Sequence, residues 1–297
     1  MDEEPPISPK LALFISIVAV STASILIRMS SAPPLIIAFY RMLFSTILLL
    51  PFLLRSKRID RVRELGQRGI LNLMGVGVVL AIHFATWITS LSLTSVASSV
   101  IFVHVDPIFV AIVSHFLFKE RITRRTLTGI IVAFAGATII AVGDMGIGEM
   151  NFIGDVLALI GAVMLGLYIL AGRRIRQELD LVSYVTPVYA TSALVLGVMS
   201  FATGTSLTGY SSNEYLLFLV IAIVPMIFGH TLYNWTLKYV TAPVVSISIL
   251  GEPVGASILA YIFLNETPTF MILVGGAVTL IGILICVFKP DDIETPH

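Results

Sequence analysis

The sequence is poor in cysteine and in charge. Cys286 is the single cysteine of 297 residues, which excludes an intrachain disulfide, a cysteine-based metal cluster and a dithiol redox pair. Charged residues make up 12% of the chain, against about 25% in an ordinary soluble domain, so an aqueous fold is excluded as well. No Walker-type glycine-rich loop occurs, which removes support for ATP-driven work. No His, Cys and acid cluster has zinc spacing, and no serine sits in a G-x-S-x-G elbow. The sequence therefore predicts no metal, no cofactor and no enzyme. Acids and bases balance at 18 each, and nothing points to a nucleic-acid partner. The start, Met1 to Pro6, is acidic and lacks the basic region and cleavage site of a signal peptide, so the first apolar run is expected to stay as a helix.

What the chain has is apolar length. Hydrophobic residues are 57% of the total, arranged in recurring runs of about 20, enough for a helix to cross the hydrocarbon core. The fold class expected is an all-α integral membrane protein of ten transmembrane helices, with lipid bilayer as solvent. Breaks at charge, Pro and Gly clusters place spans near 10–28, 33–54, 69–91, 94–118, 126–143, 153–172, 182–203, 214–236, 241–264 and 268–288. The largest connections, Arg55 to Arg68, Asp144 to Asn151 and Thr203 to Asn213, leave no room for a soluble domain.

Basic residues concentrate in cytoplasmic loops. With the N-terminus inside, every Lys and Arg except Arg28 and Arg41 falls on the inner side, while the outer loops hold Asp144, Glu149, Glu214 and Glu266. Both termini are then cytoplasmic, and the expected location is the plasma membrane. An odd span count would scatter the basic loops to both sides.

One internal offset recurs. Asp106-Pro107 matches Glu252-Pro253, Glu120 matches Glu266, Gly129 matches Gly275 and Gly136 matches Gly282, each pair 146 residues apart. The chain thus reads as two repeats, 1–146 and 147–297. Five spans per repeat is odd, so the second copy enters the membrane inverted. Inverted repeats characterise many secondary transporters, whose substrate site lies near midplane between the halves. The match loosens at Tyr40 and Tyr189, where inserted residues are needed and Arg41 then faces Ala190.

Asp106 and Glu252 lie about halfway along their spans, where a charge costs a few kcal/mol or more and normally faces a cavity or a partner. Each is followed by Pro, which kinks the helix. They read as proton-coupling or substrate-amine carboxylates, or else as protonated acids bonding a neighbouring helix. Helical spacing puts Ser99 with Asp106, and Ser248 with Glu252 and Gly255 or Ala256. His83, Thr86, Trp87 and Ser90 share one face of the third span, and His230, Tyr233 and Asn234 one face of the eighth. His83, His104 and His230 are proton-relay or ligand candidates, or interhelical hydrogen bonders. Trp87 and Tyr233, equivalent under the offset, suit a planar or cationic substrate, though helix packing explains them too. Arg41 is deep enough to need a partner, either a substrate carboxylate or Asp106. Glu120 and Glu266, at span ends, suit loop-fixing ion pairs.

The run His83-Phe84-Ala85-Thr86-Trp87, followed by Thr94 to Ser99 and Pro107, resembles the EamA-type transporters of the drug/metabolite transporter superfamily. So do Lys119-Glu120-Arg121-Ile122-Thr123, Gly251-Glu252-Pro253-Val254, Leu264-Asn265-Glu266 and Gly229-His230-Thr231 through Asn234-Trp235. The resemblance covers nearly the whole chain. It implies two five-helix repeats around a central cavity, and secondary transport, often export, of amino acids or other metabolites. The basic pair of the superfamily's phosphorylated-sugar exchangers is missing. The expected function is a secondary carrier of a small organic metabolite, with protons as a coupling partner. Its cavity would be lined by spans three, four, eight and nine. The rival readings are a facilitative channel or uniporter and a non-transporting receptor or assembly protein.

Overall fold

The computed structural model describes residues 7–55, 58–110, 113, 124–145, 148–176, 178–236, 238–239, 249 and 251–287. Among the described residues every regular element is helical. In chain order the apolar helices are α1 (Pro9–Met29), α2 (Pro34–Leu54), α3 (Gly66–Ser90), α4 (Val96–Val110), α5 (Arg124–Met145), α6 (Glu149–Ile175), α7 (Leu181–Ala202), α8 (Ser212–Thr236), α9 (Gly251–Leu264) and α10 (Phe270–Val287). Six of them, α1 to α3 and α6 to α8, are long and apolar enough to cross a membrane. The shortest of these has 21 residues, about 31 Å at 1.5 Å per residue and about the thickness of the hydrocarbon core. Expected features at Ser248 and at Lys119 to Thr123, with the Glu120 ion pair, lie outside the described residues.

Local chemistry sets the ends. α2 opens on Pro34, whose missing N–H costs nothing in a first turn. Ser95, Asp180 and Ser211 cap α4, α7 and α8 by accepting from Ser98 N, Ser183 N and Glu214 N. Two boundaries differ from expectation. Glu149, placed in a loop, is the first residue of α6, where an acid complements the helix dipole. The connection from Arg55 to Arg68 holds a short helix, Arg58–Glu64, and α3 begins two residues before Arg68.

Three of the helices are interrupted where polar or imino residues compete with the ladder. In α1 the Thr22 hydroxyl donates to Ala19 O at 2.7 Å, and the helix breaks there. In α4 the helix turns at His104 and Val105, just before the Asp106-Pro107 pair, so the expected kink is a break. In α8, Pro225 offers no N–H, and residues Ala222–Thr231 widen into a π-helix.

The surface is apolar, and polar and ionisable groups are buried within a largely apolar interior. Phe14, Phe52, Leu194, Phe201, Ile258 and Phe263 are exposed, whereas Ser16, Arg41, His83, Ser99, Asp106, Asp155 and Glu252 are buried. That inversion suits a chain whose surroundings are hydrocarbon. Packing pairs also exchange under the 146-residue offset: α3 packs on α6 as α8 packs on α1, α3 on α7 as α8 on α2, and α4 on α6 as α9 on α1. The self-paired contacts are α2 with α7, α4 with α9 and α5 with α10.

Candidate functional site

The breaks in α4 and α8 deliver polar groups to one region of the interior. The His104 Nδ1 lies 2.8 Å from Val100 O, a pure acceptor, so Nδ1 carries the proton. Its Nε2 then lies 3.1 Å from the Glu252 carboxylate, both side chains being buried. A hydrogen bond between the two requires a proton between Nε2 and the carboxylate. The turn at His104 and the start of α9 thereby join across the α4–α9 contact. A cavity of about 40 Å³, room for very few water molecules, is lined by His104, Tyr168, His230, Tyr233, Asn234 and Glu252 among others.

A second layer adjoins it. The His83 Nδ1 donates to Gly161 O at 2.9 Å, and its ring stacks on Trp87 at 6.0 Å and lies 6.4 Å from His230. Phe84 meets His230 edge-on at 5.4 Å. The π-helix matters here, because it carries His230 at its end and lets Thr231 donate five residues back to Met226 O at 3.0 Å.

Arg41, on α2, is fully buried, with its guanidinium 4.3 Å from the Phe84 ring centroid and 5.8 Å from that of Trp87. Among the described residues none of its three side-chain nitrogens has a hydrogen-bond partner. The aromatic faces supply cation–π attraction worth about 2 kcal/mol when desolvated, far less than a buried cation needs. The expected alternative, pairing with Asp106, does not form among the described residues: neither Asp106 oxygen meets a side-chain donor there, although the side chain is buried. The Trp87 indole N–H and the Tyr233 hydroxyl are likewise buried without partners among the described residues.

Of the residues singled out from sequence, Glu252, His230, Tyr233 and Asn234 line the small cavity, and His83, Trp87 and Arg41 form the adjoining layer. Ser99 does not join them. It faces the third helix, 2.6 Å from the Ser90 hydroxyl, because the turn at His104 ends the face it was to share with Asp106. Thr86 is spent on the carbonyls of Ile82 and His83. Asn234 is already committed, donating to Tyr168 Oη at 2.9 Å and His230 O at 2.7 Å.

The sequence reading missed Phe84, Tyr168, Asp155 and Arg176. Asp155, an acid six residues into α6, accepts from Ser98 Oγ at 2.9 Å and was legible as a charge within an apolar run. Arg176, one residue beyond α6, donates to Asn234 O at 3.2 Å and to Leu179 O. Burial lowers its pKa below the ordinary arginine value, partly offset by Asp180.

An apolar-clad helical bundle with ionisable groups sealed inside defines a multi-pass membrane protein with an intramembrane polar site. The profile of the EamA-like transporter family matches the chain twice, over residues 8–142 and 152–288. The chain belongs to that family, within the drug/metabolite transporter superfamily, and is a membrane transporter. It is 24% identical over 284 residues to an uncharacterized transporter of Archaeoglobus fulgidus, covering 94% of this chain and 96% of the relative. It is 22% identical over 296 residues to the uncharacterized transporter YxxF of Bacillus subtilis, covering 95% and 94%. A solved crystal structure at 17% identity superposes with a TM-score of 0.67 over 94% of this chain and 96% of that one, which speaks to fold alone.

Proposed function

We propose that this chain is a proton-coupled secondary carrier that exports a small carboxylate-bearing metabolite, an amino acid or similar, across the plasma membrane. Its ten helices would cross as two inverted five-helix repeats, 1–146 and 147–297, with both termini cytoplasmic. The exchange of packing pairs under the 146-residue offset supports the repeats, and the segregation of basic loops supports the orientation.

The observation that carries the reading is Arg41. A wholly buried guanidinium with three unpartnered nitrogens, held between aromatic faces, is a fixed cation awaiting a bidentate anion. The His104–Glu252 pair supplies a proton-holding group from a different helix pair, which suits coupling. In this reading the substrate carboxylate docks on Arg41, and its amine meets the acid side of the site, Glu252 or Asp106.

The test is counterflow in proteoliposomes loaded with amino acids or with polyamines. Arg41→Ala should cut carboxylate-solute flux by more than about tenfold, the loss expected when one partner of a buried charge pair is removed. Arg41→Lys should restore part of it, having the charge without the planar fork. Equal losses for carboxylated and purely cationic solutes would assign Arg41 to packing and overturn the proposal.

A further inference from the structure

The first turns of α3 and the last turns of α6 line a common space. A groove of about 710 Å³ opens between them, within the range of about 300–1,000 Å³ that suits ligand sites. Among the described residues its walls are mostly apolar, including Gly75, Val79 and Leu170, and its polar members are Asn72, Arg174 and Glu178. From Asn72 to Val79 the apolar wall runs about 10 Å along α3, at 1.5 Å per residue.

Two features say what fits. Arg174 and Glu178 both line the groove, four residues apart, yet they form no ion pair with each other and neither has another charged partner among the described residues. Gly75 leaves open space, since a Cβ added there would meet nothing within 4 Å. At the counterpart helix pair, α1 with α8, Glu214, which replaces Arg68 under the offset, clasps Ser30 and Ser31 with three hydrogen bonds. Arg68 and Arg176, the matching residues at the α3–α6 end, carry like charges and cannot make that clasp.

We propose that this groove is a binding site for one phosphatidylethanolamine molecule, which goes beyond the transport reading and rests only on the chain being embedded in a bilayer. The phosphate is taken by Arg174 and the Asn72 amide, the primary ammonium by Glu178, and the upper part of one acyl chain by the apolar wall. Both charges of the headgroup find opposite charges at the mouth, and hydrocarbon meets hydrocarbon below. The unpaired Glu178 selects for a headgroup with N–H donors.

The experiment is native mass spectrometry of delipidated protein titrated with phosphatidylethanolamine, phosphatidylcholine or phosphatidylglycerol, with solute flux measured separately on one variant. One phosphatidylethanolamine should be retained, about tenfold more tightly than either other lipid, as the loss of one charged contact implies. Phosphatidylcholine lacks an N–H donor and phosphatidylglycerol lacks the ammonium. Arg174→Ala and Glu178→Ala should each erase the preference; both residues are exposed, so lipid-free melting temperatures should match the wild type. Gly75→Leu should project into the groove, where a Cβ meets nothing within 4 Å, and weaken retention. Equal retention of all three lipids, or tight phosphatidylethanolamine binding in Gly75→Leu, would overturn the site. Slower solute flux in Gly75→Leu with lipid retention unchanged would instead make the groove a solute path, and would leave the transport proposal standing.

Discussion

The Thr279 hydroxyl lies 3.4 Å from the carbonyl oxygen of Ala133, the residue 146 positions earlier in the chain. If the halves are the inverted repeats proposed above, residues equivalent under the offset touch each other only on the two-fold axis that relates the halves. The bond is long and weak by itself. Its neighbours repeat the relation: a Cβ on Gly136 would fall on Thr279, and one on Gly282 would fall on Ala133, which is the same contact with the halves exchanged. Glycine is needed at both positions for close approach, in the manner of small-residue helix pairs in membranes.

Gly282→Leu should therefore lower the melting temperature of the purified protein, by the equivalent of about 1–3 kcal/mol for overpacking a tight contact. Gly136→Leu should do the same. The double variant should cost less than the sum, because once the helices are forced apart the second side chain meets a gap already opened. Strict additivity in thermal unfolding would mean that the two contacts are independent and not halves of one interface.

Glu252→Gln should leave the fold intact and remove the pH dependence of flux, since an amide keeps the shape and the hydrogen bond toward His104 but exchanges no proton. His104→Gln should weaken the same dependence, and a double-mutant cycle on flux at several pH values should return strong coupling between the two positions. A pH profile in Glu252→Gln that overlays the wild type would remove Glu252 from the coupling step.

Glu266 ties three segments at the opposite end of the bundle from Arg174. It accepts from Val96 N at 2.6 Å at the start of α4 and lies 3.6 Å from Arg28, which itself donates to Leu91 O. Glu266→Gln should lower stability by about 1 kcal/mol, mostly through the loss of a charged acceptor at a helix N-terminus. Arg28→Ala should cost less than that, because its side chain is one-third exposed and solvent screens its share of the ion pair. A larger loss for Arg28→Ala in thermal unfolding would reverse this ranking.

The membrane class and most helix limits were legible because hydrocarbon demands long uncharged runs, a constraint written residue by residue. The site was legible only in part. Glu252, His83 and His230 stood out as ionisable groups in apolar runs. The clustering of Arg41 with Phe84 and Trp87 was not readable, since it depends on how α2 and α3 cross. Ser99 misled because helical periodicity holds only within one helix, and the turn at His104 resets it. Asp155 was visible by the rule applied to Asp106 but lay closer to a span end, where an acid draws less notice. The widened turn in α8 had one sign, Pro225, and proline alone does not say whether a helix kinks, breaks or widens.

That widened segment has a geometric consequence for everything beyond it. A π turn holds one more residue than an α turn, so Ala222–Thr231 carries surplus chain within an otherwise α-helical rod. Passing that surplus along, or returning it to α register, turns the far part of the rod by about 100°, the angle subtended by one residue. His230 sits at the end of the segment, and Asn234 is bonded to its carbonyl. A slip of one residue would therefore reorient both toward a different neighbour helix while leaving the loops at either end of α8 in place, in the way a camshaft turns its lobes without shifting its bearings.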